Sequence, residues 1–254
     1  MAERGGPFDD RPVRRIQADP EAGYDRASWP ASIPAVAQLL RDGLELPHGV
    51  TFLVGENGSG KSTIIEGIAT AYGMPPEGGS TNGSHITRPS ESPLGGWLRL
   101  ERSLGVPRWG FFLRAETMHG YYSYLESLPQ SPDTHLHSLS HGESFNDLLV
   151  NKLNHPAHVT GFACLDEPEA ALSFESTLKW LVELSDMAER GTQVLCATHS
   201  PILAALPGAR ILELGDWGMR ETSWAELEIV THWRSFLDAP ERYFRHLLRA
   251  EPPR

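Results

Sequence analysis

The chain of 254 residues predicts an α/β protein with a largely parallel sheet flanked by helices, and three observations predict it. In the second half, apolar runs of strand length alternate with segments of helical period. VTGFACLDE is followed by a helix marked by Phe174, Leu178, Leu181, Val182 and Ala188, then by TQVLCATH, the short helix PILAAL and the strand ARILEL. In the first half, GVTFLV (49–54) reads as a buried strand, and Ile64, Ile65, Ile68, Ala69 and Tyr72 share one helical face after it. Between these two lies VGENGSGKST (54–63), a stretch with few side chains. Strand, helix and strand in succession favour right-handed crossovers and helices on both faces of one sheet.

Taken in order, residues 1–32 are polar, with glycine, proline and scattered charge, and read as a flexible or loosely packed arm. IPAVAQLL (33–40) predicts a short helix. Residues 75–96 are a low-complexity loop with almost nothing to bury, and a loop that long inside a domain is functional or disordered as a rule. WLRLERS and RWGFFLRAE predict two strands joined by a turn around Gly105 and Pro107. A tyrosine- and histidine-rich segment leads to a helix over 141–153 with Phe145, Leu148, Leu149 and Leu153 on one face. Gly191 stops the helix that begins near Phe174. The expectation is a single domain over 33–254, with a short helical subdomain at about 117–158 and no internal repeat.

Composition bounds the function. With 40% hydrophobic and 22% charged residues the chain is an ordinary globular sequence. A net charge of −11 disfavours nucleic acid or an anionic membrane as a bulk partner. Two cysteines, Cys164 and Cys196, make no disulfide framework and suggest a reducing compartment. Neither an apolar leader nor a run of roughly 18 apolar residues is present, so the expected location is the cytoplasm, with no integral membrane segment. His119, His135, His137, His141, His155 and His158 crowd one region, but their spacing fits no strong zinc pattern, and a solvated or partner-facing segment is the better reading. Trp217, Trp224 and Trp233 are expected to pack on the sheet. The last helix, ERYFRHLLR, sets Arg242, Arg245 and Arg249 opposite Phe244, Leu247 and Leu248, as a solvated face does.

The chemistry centres on Gly55-Glu56-Asn57-Gly58-Ser59-Gly60-Lys61-Ser62, which satisfies G-x-x-x-x-G-K-[ST], with Thr63 following in the helix. Glycines let the backbone turn around an anion so that successive N–H groups point inward, and the helix start adds its dipole and free donors. Lys61 then reaches the β- and γ-phosphates of a nucleotide, and the Ser62 hydroxyl ligates Mg²⁺. A bare glycine-rich turn is the competing reading. The apolar strand GFACLDE ends in Asp166-Glu167, which suits an aspartate holding Mg²⁺ and a glutamate orienting or deprotonating the attacking water. Capping of the next helix would explain that pair equally in isolation. LSHGES (139–144) carries Ser140 and Glu143 in capping-box spacing, and ATHS sets His199 at a strand end.

In this order the four motifs resemble the ABC class of P-loop ATPases, over most of residues 46–215. The resemblance implies bound ATP and Mg²⁺, with Lys61, Glu167 and His199 acting on the γ-phosphate. It implies that Ser140 and Gly142 contact ATP held by another subunit, in a head-to-tail homodimer. The chain departs from the pattern at His141 and Glu143 of the signature, and at Ala170-Ala171-Leu172-Ser173, which lacks the aspartate common in transporter subunits. It has no glutamine at a convincing Q-loop position, where Glu116 is the nearest candidate. DEPEAAL looks like the soluble ATPases related to RecF and SMC proteins, and the chain resembles short bacterial predicted ATPases of the AAA family. The expected activity is Mg²⁺-dependent hydrolysis of ATP driving a dimer switch, in nucleic-acid maintenance or defence or with an unidentified protein partner. The alternatives are an ABC transporter's ATP-binding subunit and a nucleotide-binding regulatory module with little hydrolysis. For the aromatic surface that stacks on adenine, Trp29 and Tyr24 are positional candidates.

Overall fold

In the computed structural model, which describes residues 10–81, 92–117, 161–170 and 172–247, the run after Gly49 forms strand β3 (Val50–Gly55) in the interior of a seven-stranded sheet. The remaining strands of that sheet are β4 (Gly79–Ser80), β6 (Gly110–Arg114), β7 (Phe162–Asp166), β8 (Gln193–Thr198), β9 (Arg210–Gly215) and β10 (Gly218–Glu221), in the order β10-β9-β3-β8-β7-β6-β4. The five inner strands run parallel, and the edge strands β10 and β4 are antiparallel to their neighbours. The predicted parallel α/β sheet is therefore the fold observed.

Each inner strand is buried on both faces, which explains why its sequence is a continuous apolar run. Alternate residues feed two cores. Phe52, Phe111, Leu165 and Cys196 join Trp180, Leu184 and Met187 of helix α3 (Phe174–Glu189) and Val230 of α4 (Glu228–Asp238) on one face. Leu53, Phe112, Cys164 and Leu195 face the other way, onto α1 (Pro34–Asp42) and Ile64, Ile65 and Ile68 of α2 (Lys61–Tyr72). The two cysteines thus lie on adjacent strands but on opposite faces, buried and unpaired. A last helix, α5 (Pro240–Leu247), follows α4, with Phe236 edge-on to Tyr243 and Phe244.

A second, three-stranded antiparallel sheet lies beside α1 and α2, in the order β2 (Leu44–Glu45), β1 (Arg15–Ala18), β5 (Leu98–Glu101). Its first strand falls within the segment read as an arm. Val13 and Ile16 are fully buried there, two apolar side chains in a polar context too short for a periodicity to show. The Gln193 side chain on β8 ties the two sheets together: its Oε1 accepts from the Val13 N–H, and its amide donates to the carbonyls of Val13 and Pro47.

Four expectations need correction. WLRLERS and RWGFFLRAE do not pair with each other: β5 belongs to the small sheet and β6 runs parallel to β7 in the large one. The segment 75–96 is not devoid of burial, for β4 extends the large sheet and Leu94, fully buried in a short 3₁₀ turn at Pro93–Trp97, packs against Gly67 of α2. Helix α3 buries a face rotated from the predicted one, so that of the predicted stripe only Leu181 and Ala188 pack against the core. Phe174, Leu178 and Val182 are 65%, 43% and 59% exposed, while Thr177, Trp180, Leu184 and Met187 face inward. Trp180 offers more apolar area than any residue of the other stripe, and Thr177 is satisfied inside by donating to the Ser173 carbonyl at 2.9 Å. Lastly, Trp217 and Trp233 are about half exposed, and of the three C-terminal tryptophans only Trp224 packs on the core.

Candidate nucleotide site

The glycine-rich loop leaves the C-terminal end of β3 and enters α2 at Lys61. Gly58 and Gly60 hold φ of 85° and 96°, a region that disfavours side chains, and a Cβ on Gly60 would come within 2.8 Å of Ile33 Cγ2. The loop is therefore bare for a backbone reason, as a cradle requires. The Ser59 hydroxyl is buried in it with no hydrogen-bond partner among the described residues, a donor suited to an anion. Lys61 is almost fully buried, and its ammonium donates to the carbonyls of Gly55 at 2.8 Å and Glu56 at 2.9 Å. Burial lowers its pKa, opposed by the carboxylates of Glu167, Asp166, Glu169 and Glu56.

Parallel strand order brings the acidic pair to the same end of the sheet. Ser62 Oγ donates to Asp166 Oδ1 at 3.0 Å, joining the first turn of α2 to the last residue of β7. Asp166 is therefore not a helix cap. Its pKa is raised to about 6, mainly by burial, with the Ser62 hydrogen bond and the Arg114 charge acting in the opposite direction. Glu167 follows with φ of 49°, the one non-glycine residue at positive φ among those described, and its N–H is tied to the Ala197 carbonyl at 2.9 Å. Its Oε1 lies 4.0 Å from Lys61 Nζ and 3.3 Å from His199 Nδ1, although the histidine contact does not meet hydrogen-bond geometry.

These residues border two clefts on either side of the loop. One, of about 560 Å³, is lined by Asn57, Lys61, Ser62, Thr63, Asp166 and Glu167, with Trp29 at its rim. The other, of about 660 Å³, is reached by Gly55, Glu56, Ser59 and His199, with Trp217 and His232 beyond them. Of the two aromatic candidates, Trp29 is exposed on the first cleft, whereas Tyr24 is stacked on Trp97 at 5.0 Å. Glu116 lines the first cleft as well, with an exposed side chain. Ser140, Gly142, the signature helix and the histidine-rich segment lie outside the described residues.

Two further groups complete the site without having been singled out in the sequence. Glu169 Oε1 accepts hydrogen bonds from the Thr198 hydroxyl and from the His199 N–H, the latter at 3.1 Å, and so couples the acidic turn to the histidine. Arg114, at the end of β6, stands between Glu66 and Asp166. DEPE contained the first and FFLRAE the second, but only the register of β6, β7 and β8 makes them neighbours of the site.

Sheet, loop and acidic pair define a P-loop nucleotide-binding fold. A family model for AAA domains matches residues 40–96, which contain β3, the loop and α2, and supports the P-loop ATPase resemblance there. No curated protein matches the chain. Among solved structures, one described as an inward-facing metal-chelate-type ABC transporter shares 15% identity at a TM-score of 0.48, covering 90% of this chain and 89% of that one. Another, cbiO1 from Clostridium perfringens, described as part of the ABC transporter complex cbiONQ, shares 15% identity at a TM-score of 0.42, with 81% and 90% covered. Among the described residues no helix is long and apolar enough to cross a membrane.

Proposed function

We propose that this protein is an Mg²⁺-dependent ATPase of the ABC class that hydrolyses ATP to ADP and phosphate. The observation that carries the reading is the meeting of Lys61, the Ser62–Asp166 pair, Glu167 and His199 at one glycine-rich loop. The backbone of residues 55–60 and Lys61 hold the phosphates, with Thr63 beside them. Trp29 supplies the aromatic surface for the base. Ser62 and Asp166 would hold the metal: a hydroxyl and a carboxylate 3.0 Å apart are hard oxygen donors of the kind Mg²⁺ prefers. When bound there, the ion supplies positive charge to the β- and γ-phosphate oxygens.

Glu167 takes a proton from the water whose oxygen bonds to the γ-phosphorus, as the bond to the ADP oxygen breaks and that oxygen keeps its electron pair. His199, whose Nδ1 lies 3.3 Å from Glu167 Oε1, assists at the γ-phosphate. Within this proposal, Ser140 and Gly142 act on ATP bound by a second copy, and the pair closes and opens with hydrolysis. The work performed belongs to a protein partner or to nucleic-acid maintenance or defence.

Glu167→Gln tests the reading. Nucleotide affinity is expected to stay within about threefold while turnover falls about 10²–10⁴-fold, as for loss of a general base. Wild-type turnover in that variant, measured by phosphate release, would remove Glu167 from the chemistry.

A further inference from the structure

The turn after Asp166 is tied to the end of β8 at two points. The Glu167 N–H donates to the Ala197 carbonyl at 2.9 Å, and two residues further on the Glu169 side chain reaches the residues that follow Ala197. Thr198 is fully buried, and its hydroxyl has a single proton to give. Its oxygen accepts the Ser200 N–H at 2.9 Å, and the proton goes to Glu169 Oε1, which also accepts the His199 N–H at 3.1 Å. Ser200 Oγ is held in turn by the N–H groups of Ile202 and Leu203, so the far end of this chain of bonds is fixed. What the bonds hold is strained. Glu167 has φ of 49°, a left-handed backbone that side chains disfavour, and the proline after it narrows its choices further. Such a geometry persists only where the surroundings over-determine it.

Resting on the proposed roles of Glu167 and His199, we infer that Glu169 is a positioning residue for hydrolysis. It straps the turn bearing the base to the strand end bearing the histidine, and so sets the spacing between the two. Its hydrogen bonds go to the end of β8, whereas the phosphate cradle is formed by residues 55–61 at β3 and α2. Losing the strap therefore changes the chemical step and leaves nucleotide affinity alone. The strap needs reach and an acceptor rather than charge, because one oxygen, Oε1, makes both bonds. An amide of the same length supplies that oxygen, and a carboxylate one carbon shorter does not reach.

Phosphate release from the full chain, measured over a range of ATP concentrations, tests the inference. Glu169→Gln keeps the reach and loses the charge, and its kcat is expected to stay within about threefold of the wild type. Glu169→Asp keeps the charge and loses the reach. Its kcat should fall about 10–100-fold, as for a misplaced catalytic group, with KM for ATP within about threefold. In a His199→Ala background the same change should cost less than about threefold, since no spacing is left to hold. Wild-type kcat in Glu169→Asp would overturn the inference, as would Glu169→Gln behaving like Glu169→Asp, or the full loss repeated in the His199→Ala background. Should Glu169→Asp not fold, Thr198→Val cuts the strap from its other end, and its kcat should fall at least about threefold at unchanged KM. Unchanged kcat there would overturn the inference equally. Two further variants separate the levels. If Glu167→Gln or His199→Ala turns over as the wild type does, the proposed site falls and this inference with it. If both lose turnover while Glu169→Asp keeps it, only the inference falls.

Discussion

Asp166 shows what the site demands of a single side chain. Burial raises its pKa from 3.8 to about 6, so the folded protein keeps a proton that the unfolded chain releases between those values. Stability from this group therefore falls as pH rises through that window, and above it the penalty is constant, roughly 3 kcal/mol at most. Asp166→Asn removes the charge but not the shape. It is expected to stabilise the protein by about 1–3 kcal/mol near pH 7.5, with the gain vanishing below about pH 4, where both carboxyl and amide are neutral. Thermal melts at the two pH values check this, and a variant that melts lower than the wild type at neutral pH would show that Arg114 more than offsets burial. The same variant should lose the dependence of nucleotide binding on Mg²⁺. A buried carboxylate that weakens the fold is a common trade at functional sites.

Helix α3 gives the sharpest contrast between two apolar stripes on one element. Trp180→Ala is expected to cost about 3–5 kcal/mol, and Val182→Ala, on the outward stripe, less than about 0.5 kcal/mol, read from urea unfolding midpoints. Comparable losses at both positions would mean that the outward stripe is covered. The sequence alone favoured the stripe of Phe174, Leu178, Leu181, Val182 and Ala188, of which Leu181 and Ala188 do touch the core, because the face that is buried most deeply is interrupted by Thr177. By contrast, β3, the glycine loop and α2 were legible because strand, turn and helix are contiguous, and the order Gly-Lys-Ser constrains a single local geometry. Asp166 and Glu167 were legible for a similar reason, as polar residues closing an apolar strand. Arg114, Glu66 and Glu169 were not, since their roles arise from register across three strands and from a helix packed over them. The pairing of β5 was misread because proximity in sequence favours a hairpin, whereas its partner β1 lies more than eighty residues earlier.

For the molecule as a whole, the proposed cycle predicts a change in mass. Glu167→Gln with Mg²⁺ and ATP is expected to elute as a homodimer, doubling the scattering mass of the nucleotide-free protein, and adding Ser140→Arg should abolish the shift. A chain that stays monomeric with ATP bound would assign the signature segment to a different partner. The antiparallel sheet and the parallel one are joined through the buried amide of Gln193.

The position of β3 also has a bearing on how the protein is made. Its neighbours are β8 and β9, and Gly55 finds its register partner at Leu214. On the ribosome, the strand that carries the phosphate loop is thus without either neighbour until most of the chain has been synthesised. The backbone groups of Val13 wait equally long for Gln193. A nascent chain halted before β8 therefore has no assembled cradle, and capacity for nucleotide arrives late, with the closing of the sheet's centre.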